Sequence, residues 1–171
     1  MAKNLELVSS RFEQIVGIAD DAIISVDANQ LVCLFNDGAE RVFGYSKDEV
    51  IGQHLNMLIP GRFQDAHIKH IQSFDKEKGA ARKMNERGKI VAVRKNGEEF
   101  PAIGSILKTG DASSRNFTVI LHDISEIEEL RILLQQRIDT LELSNQDMAL
   151  EKHRLRRTED LLDRLLKQAH S

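Results

Sequence analysis

A single cysteine, Cys33, occurs among the 171 residues. That excludes an intramolecular disulfide, and with it the zinc ribbons and fingers that need paired cysteines. One unpaired thiol suits a reducing, cytoplasmic compartment. No apolar run approaches the ~18 residues of a membrane span, and no signal-peptide core follows Met1-Ala2-Lys3-Asn4, so membrane insertion is not expected. Neither sign of charge dominates: 24 Lys and Arg against 27 Asp and Glu leave −3. Nucleic acid is therefore not an expected partner. There is no Gly-rich phosphate loop and no nucleophile elbow. His153 is followed by Arg154, and no proline occurs beyond Pro101, so a phospho-accepting histidine motif is absent too. The chain as it stands is not expected to be an enzyme.

What is present is 41% apolar residues, enough for a core. Residues 1–20 carry Leu5, Val8, Phe12, Ile15 and Ala19 at spacings of 3, 4, 3 and 4, the stripe of an amphipathic cap helix. Residues 21–123 change character. Ala22–Val26 and Leu31–Phe35 flank Asp27-Ala28-Asn29-Gln30, which reads as a hairpin. Ala39–Phe43 suggests one helical turn, and Ser46 with Glu49 three residues on forms a capping box. Arg62–Phe74 shows a helical stripe of Phe63, His67, Ile68, Ile71 and Phe74. After a polar stretch, Ile90–Arg94 and Phe100–Leu107 flank Asn96-Gly97, which predicts a second hairpin with a type I′ turn. Phe117–Leu121 is the last strand. Segregated strands and helices predict an α+β fold, a five-stranded antiparallel sheet with short helices on one face.

Residues 124–171 contain no glycine and no proline. Apolar residues fill heptad position a at Ile127, Leu134, Leu141, Met148, Leu155, Leu162 and Ala169. Position d is apolar at Leu130 and Leu165 and polar at Arg137, Ser144, Glu151 and Thr158 between them. One helix of this length would run roughly 70 Å, too long to bury on a domain of this size. A coiled coil follows. In a parallel pair the g–e′ contacts would be Leu133–Ile138′, Thr140–Asn145′, Asp147–Lys152′, Arg154–Glu159′ and Leu161–Leu166′, none of like charge. A parallel homodimer is expected, with the N-terminal stripe joining the same assembly. Ser125, with Glu128 three residues later, is the expected cap of this helix. The basic run Lys152, Arg154, Arg156 and Arg157 is interleaved with or adjoined by acids, and reads as a solvated helix face.

Several of these segments together resemble a PAS domain over about residues 12–125. They are Asp21–Asp27 with Phe35-Asn36, Ala39-Glu-Arg-Val-Phe-Gly-Tyr-Ser46 with Glu49-Val-Ile-Gly52, Leu58-Ile-Pro60, Arg94-Lys-Asn-Gly97 with Phe100-Pro101, and Phe117–Asp123 with Ile124-Ser125. The resemblance implies a sheet cupping a ligand cavity, in a sensory or signal-relay module of the kind found in two-component systems. It implies output through a helix to a kinase, cyclase or other signalling partner. Asp123-Ile124-Ser125 is similar to the family's exit motif, which makes it the expected relay. A non-sensing scaffold, or a piece of a longer kinase or cyclase, are the alternatives.

The resemblance also sorts the cofactors. The light-sensing branch places its reactive cysteine in an Asn-Cys-Arg-Phe-Leu-Gln helix, which is missing here. Cys33 sits in a predicted strand and reads as a small buried apolar residue. There is no tryptophan, so flavin is not expected. Haem-binding relatives carry a proximal histidine on the helix after the Ile-Pro. His67, seven residues after Pro60, has a similar spacing, and His70 lies near the same face. The oxygen-contacting arginine of that branch would fall at Gly88, counting back from the hairpin, with Arg87 beside it. The expectation is no resident cofactor ahead of haem, with His67 as its one candidate ligand. No acid or cysteine cluster completes a metal site on His67 and His70, so none is expected.

Overall fold

The computed structural model describes residues 11–76, 79–84, 89–111 and 114–169. The chain divides into two compact units, Met1–Ser125 and Glu126–Ser171. In the first unit a helix over 11–18 (α1) precedes β1 (Ala22–Asp27), β2 (Val32–Phe35), α2 (Asp37–Phe43), α3 (Lys47–Val50), a 3₁₀ turn (Leu55–Leu58) and α4 (Gly61–Lys76). Strands β3 (Ala81–Lys83), β4 (Ile90–Val93), β5 (Glu99–Thr109) and β6 (Asn116–Asp123) follow. The sheet is antiparallel with order β2-β1-β6-β5, and β4 and β3 share the far edge of β5. It is therefore five strands wide, as expected. The polar stretch before β4 contributes the short β3, which the sequence reading did not count as a strand.

Alternation along the strands builds the core. Ala22, Ile24 and Val26 of β1 lie on one face with Phe117 and Leu121 of β6 and Ala102 and Ile106 of β5, and all are buried. Phe43 bridges Phe35 and Phe100, with ring centroids 6.1 and 5.4 Å away, while Phe74 meets Phe117 at 6.3 Å.

Asn36 ties the entrance of the domain together. It is 5% exposed. Its Oδ1 accepts from Ile23 N–H at 2.8 Å and Ala39 N–H at 2.9 Å, so it caps α2 and stitches β1 at once. Its Nδ2 donates to the carbonyls of Val16 and Asp21 at 2.9 and 3.0 Å. The same segment leaves no room for a side chain at position 38: a Cβ on Gly38 would fall 2.4 Å from the Asp21 carbonyl oxygen.

Both hairpins form, with one correction. Asn96 is not in the left-handed region, and only Gly97 is, at φ +87°. Gly97 N–H donates to Arg94 O at 2.9 Å, and Arg94 N–H to Glu98 O at 2.9 Å. This is a three-residue loop, a type I turn closed by a left-handed glycine, rather than type I′. The β1–β2 turn repeats the pattern. Gln30 N–H donates to Asp27 O, and Gln30 itself stands at φ +63°. The Ser46–Glu49 box is present, with the Glu49 carboxylate accepting Ser46 N–H at 2.9 Å. Cys33 is exposed, which corrects the reading of it as buried: opposite Val26 and Ser25 the register jumps from Val32 to Leu34, so Cys33 falls at a bulge between the buried Val32 and Phe35.

The second unit is one helix, α5, which runs Ser125–Ala169 from the joint. Ile127, Leu130, Leu134, Leu141, Met148, Leu155 and Leu162 are all more than half exposed along it.

Candidate functional site

The inward faces of β1, β4, β5 and β6 floor a cavity of about 320 Å³, with α4 and the 3₁₀ turn as its other wall. That volume lies in the range of small-molecule sites. Most of the lining is apolar: Ile24, Leu58, Ile71, Ile106 and Val119 are representative. The amphipathic stripe of α4 turns Phe63, His67, His70, Ile71 and Phe74 toward it.

α4 is fixed at both ends. Near its start, Arg62 pairs with Glu99 of β5, and Gln64 Nε2 donates to the carbonyls of Asn56 and Ile59. At its end, Lys108 Nζ donates to the carbonyls of Phe74 and Asp75 at 2.9 and 2.8 Å, and Arg115 pairs with Asp75 at 2.9 Å. The lysine occupies the negative end of the helix.

Among the described lining residues, His67 is the one mostly buried ionisable group. Burial, and then the neighbouring His70 and His54, push its pKa down to about 4. The imidazole is thus neutral near pH 7. Its buried Nδ1 has no hydrogen-bond partner among the described residues.

The exit of the sheet is a second polar centre. Arg94 Nη2 donates to Asp123 Oδ2 at 2.5 Å, Nη1 donates to the Val42 carbonyl, and the guanidinium lies 4.0 Å over the Phe100 ring. Asp123 Oδ1 accepts from the Ser125 N–H at 2.8 Å and from its hydroxyl at 2.6 Å. Burial raises the Asp123 pKa, but the hydrogen bonds from Ser125 and Arg94 outweigh it and hold the carboxyl below its usual range. Ile124 between them is buried, and its N–H donates to Pro101 O at 3.1 Å. The capping assignment is thereby corrected. Asp123 receives the first N–H of α5, and the Ser125 hydroxyl donates to that carboxylate.

Of the candidate residues, His67 lines the cavity, and Asp123, Ile124 and Ser125 share the joint. Phe12 and Ile15 stand on α1, 59% and 65% exposed. Leu5, Val8, Arg87 and Gly88 lie outside the described residues, as does the side chain of Leu165. Sequence reasoning did not single out Asn36, Arg94, Lys108, Met84 or Lys89. Arg94 lay inside a quoted motif, but nothing local paired it with a residue 29 positions on. Among the described residues no cluster of three metal-ligating side chains occurs, and no helix is long and apolar enough to cross a membrane.

Comparison with known proteins adds the family. A PAS domain profile matches residues 20–126. The sensor protein FixL of Bradyrhizobium diazoefficiens is 31% identical over 68% of this chain and 23% of its own length. The oxygen sensor protein DosP of Escherichia coli is 28% identical over 60% of this chain and 13% of its own. The chain thus spans a small part of the curated relatives it matches. Among solved structures, the PAS domain of an HTR-like protein from Haloarcula marismortui superposes with a TM-score of 0.58 at 22% identity, over 72% of this chain and 97% of that one. With the sheet order, the cavity and the profile in agreement, the chain belongs to the PAS domain family, a family of sensory modules.

Proposed function

We propose that this chain is a signal-reading module that works as a homodimer in the cytoplasm. A cap over residues 1–20, a sensing domain over 21–123 and a signalling helix over 124–171 are its parts. The cavity holds a ligand, Asp123-Ile124-Ser125 carries its effect out of the sheet, and α5 passes it on through a parallel coiled coil to a kinase, cyclase or other partner. The observation that carries this reading is a neutral, largely buried imidazole inside an otherwise apolar cavity.

Haem is the group these residues fit. A neutral imidazole would supply a nitrogen ligand to the iron, and the apolar shell would tune it. His67 would hold the iron, and Leu58, Ile71, Ile106 and Val119 would enclose the ring. When bound, haem supplies an iron that takes up a diatomic gas. The chain's own residues exclude water, keep His67 unprotonated and hold α4 in place at both ends. Two relatives bear the names of sensors, one of them of oxygen, which supports the same reading. Titration with haemin tests it. A sharp Soret band should appear, His67→Ala should abolish it, and His70→Ala should spare it. Absence of a band in the wild type ends the haem reading.

The dimer is supported by the exposed a-position stripe of α5 and by the pairing of its g and e positions. The joint is built to transmit, because Asp123 is bound at once to Arg94 on the hairpin side and to Ser125 at the helix start. A spin label at Leu162→Cys, in a Cys33→Ser background, should lie close to its own copy. Separations beyond about 30 Å, the length of a 20-residue helix, rule out the parallel coil.

A further inference from the structure

α5 carries a second apolar line that the heptad does not use. Ile132, Leu143, Leu150 and Leu161 stand 11, 7 and 11 residues apart. At 3.6 residues per turn, 11 residues make about three turns and 7 about two, so the four lie along one face. Each of the first three is two residues from an a position (Leu134, Leu141 or Met148), about 200° round the helix from it. Leu161 adjoins Leu162 and borders the parallel seam as well. All four are more than half exposed. A parallel pair through the a positions would leave Ile132, Leu143 and Leu150 in water.

The line is symmetric about its centre, and that symmetry selects what fits it. The step from Ile132 to Leu143 equals the step from Leu150 to Leu161. A second α5 laid antiparallel therefore sets Ile132 level with Leu161′ and Leu143 level with Leu150′, and the register reads the same from either helix. The charges follow the same symmetry. Asp139 comes level with Arg154′ and within one turn of Arg157′, and this happens twice per contact. The Asp139 carboxylate, which accepts from Gln135 Nε2 at 2.9 Å within its own helix, is exposed, as are both arginines. Against this, Asp147 meets its own copy at the edge of the face, one exposed repulsion against two attractions. A parallel partner on the same face is excluded by charge, because it would set Asp139, Arg154 and Arg157 each level with itself.

We infer that the outer line of α5 is a second self-association surface, on which another copy of this helix docks antiparallel. This contact lies beyond the parallel pair proposed above and does not depend on it. It has four apolar residues per helix against seven a positions, so it is the weaker contact and fills at higher protein concentration than the seam.

Sedimentation of the full chain over a range up to millimolar protein tests it. Species larger than the pair should appear as concentration rises. Leu143→Glu with Leu150→Glu lies outside the parallel seam, and it should weaken that further step at least about 100-fold while leaving the pair and the helical circular dichroism unchanged. Asp139→Arg should weaken it about tenfold, and adding Arg157→Asp should recover about threefold or more. Orientation is read by spin labels in a Cys33→Ser background, from a mixture of chains labelled at Gln136→Cys and chains labelled at Arg157→Cys. The antiparallel contact holds the two labels within about 20 Å, whereas a parallel pair alone keeps them about 32 Å apart along the helix. A wild type that never passes the pair leaves the outer line to a different chain and overturns the inference. So do larger species that persist unchanged in the Leu143→Glu, Leu150→Glu variant, or labels that stay far apart. A wild type that passes from monomer to a pair with the two labels close, and with labels at position 162 far apart, sinks the parallel coil and leaves this inference standing.

Discussion

The two units of this chain solve the problem of apolar surface in opposite ways. Residues 1–125 bury Phe35, Phe43, Phe74 and Phe100 to 2% exposure or less within one chain. Along α5, Leu134 and Leu141 remain 55% and 52% exposed. The first unit has its own core, so its order is intramolecular. The second carries an apolar stripe that its own residues leave exposed. A 45-residue helix with such a stripe gains most of its stability from a partner. If α5 pairs as proposed, dependence on protein concentration belongs to the helix and not to the sheet.

The sharpest way to break that contrast is Leu141→Lys. In a parallel pair it removes two seam leucines and about 5 kcal/mol of apolar burial per dimer. Sedimentation should then give a monomer with reduced helical circular dichroism, while the unfolding midpoint of the sheet unit stays put. A dimer that persists would show that α5 is not the seam.

Asn36→Ala probes the other unit. It strips partners from the half-buried Ile23 N–H, the buried Ala39 N–H and the carbonyls of Val16 and Asp21. The expected loss is about 4 kcal/mol, read by chemical denaturation at any protein concentration. A loss that varies with concentration would undo the contrast between the units.

The pH dependence of the sheet unit sharpens the picture further. The His67 pKa falls from 6.5 to about 4 on folding. Between those values the unfolded chain binds more protons than the folded one. Stability contributed by neutral His67 is therefore complete above pH 6.5 and declines as the pH falls toward 4, by roughly 3 kcal/mol in all. His67→Leu should flatten that slope in the ligand-free protein. Asp123 acts at lower pH. Its carboxyl is held below the ordinary 3.8, so its contribution is complete above that value and is lost as the pH falls through the lowered one.

The smallest effects come from the two turns. Gly97→Val places a branched side chain at φ +87° in open space, so the cost is purely conformational, about 1–2 kcal/mol. Gln30→Gly should do the reverse. It relieves a non-glycine residue at φ +63° and removes the buried Gln30 Oε1, which has no hydrogen-bond partner among the described residues, for a gain of about 0.5–1 kcal/mol. Midpoints measured on both variants check the pair, and a stabilising Gly97→Val would contradict the turn geometry.

Much of the fold could be read from the chain because its signals are local. Short apolar, partly β-branched runs bounded by turn residues gave β1, β2, β4, β5 and β6, Asn96-Gly97 gave a hairpin, and the stripe of α4 gave a helix with His67 on it. The turn type was misjudged because Asn-Gly fits both a two-residue loop and the left-handed end of a three-residue one, and the pairing of Arg94 with Glu98 decides between them. The exposure of Cys33 follows from the bulge it makes against β1, a pairing irregularity that no local pattern shows.

The order of strands and turns, the heptad pattern of α5 and the spacing that puts a histidine on the helix after Pro60 were all written locally in the chain. These follow from periodicities and backbone preferences that act over a few residues. Long-range packing put this histidine in the cavity wall, mostly buried and neutral, and brought Arg94 to Asp123. Burial and pairing are set by residues far apart in the chain, and the charge state of a side chain follows from the water and charges around it, which no local pattern encodes.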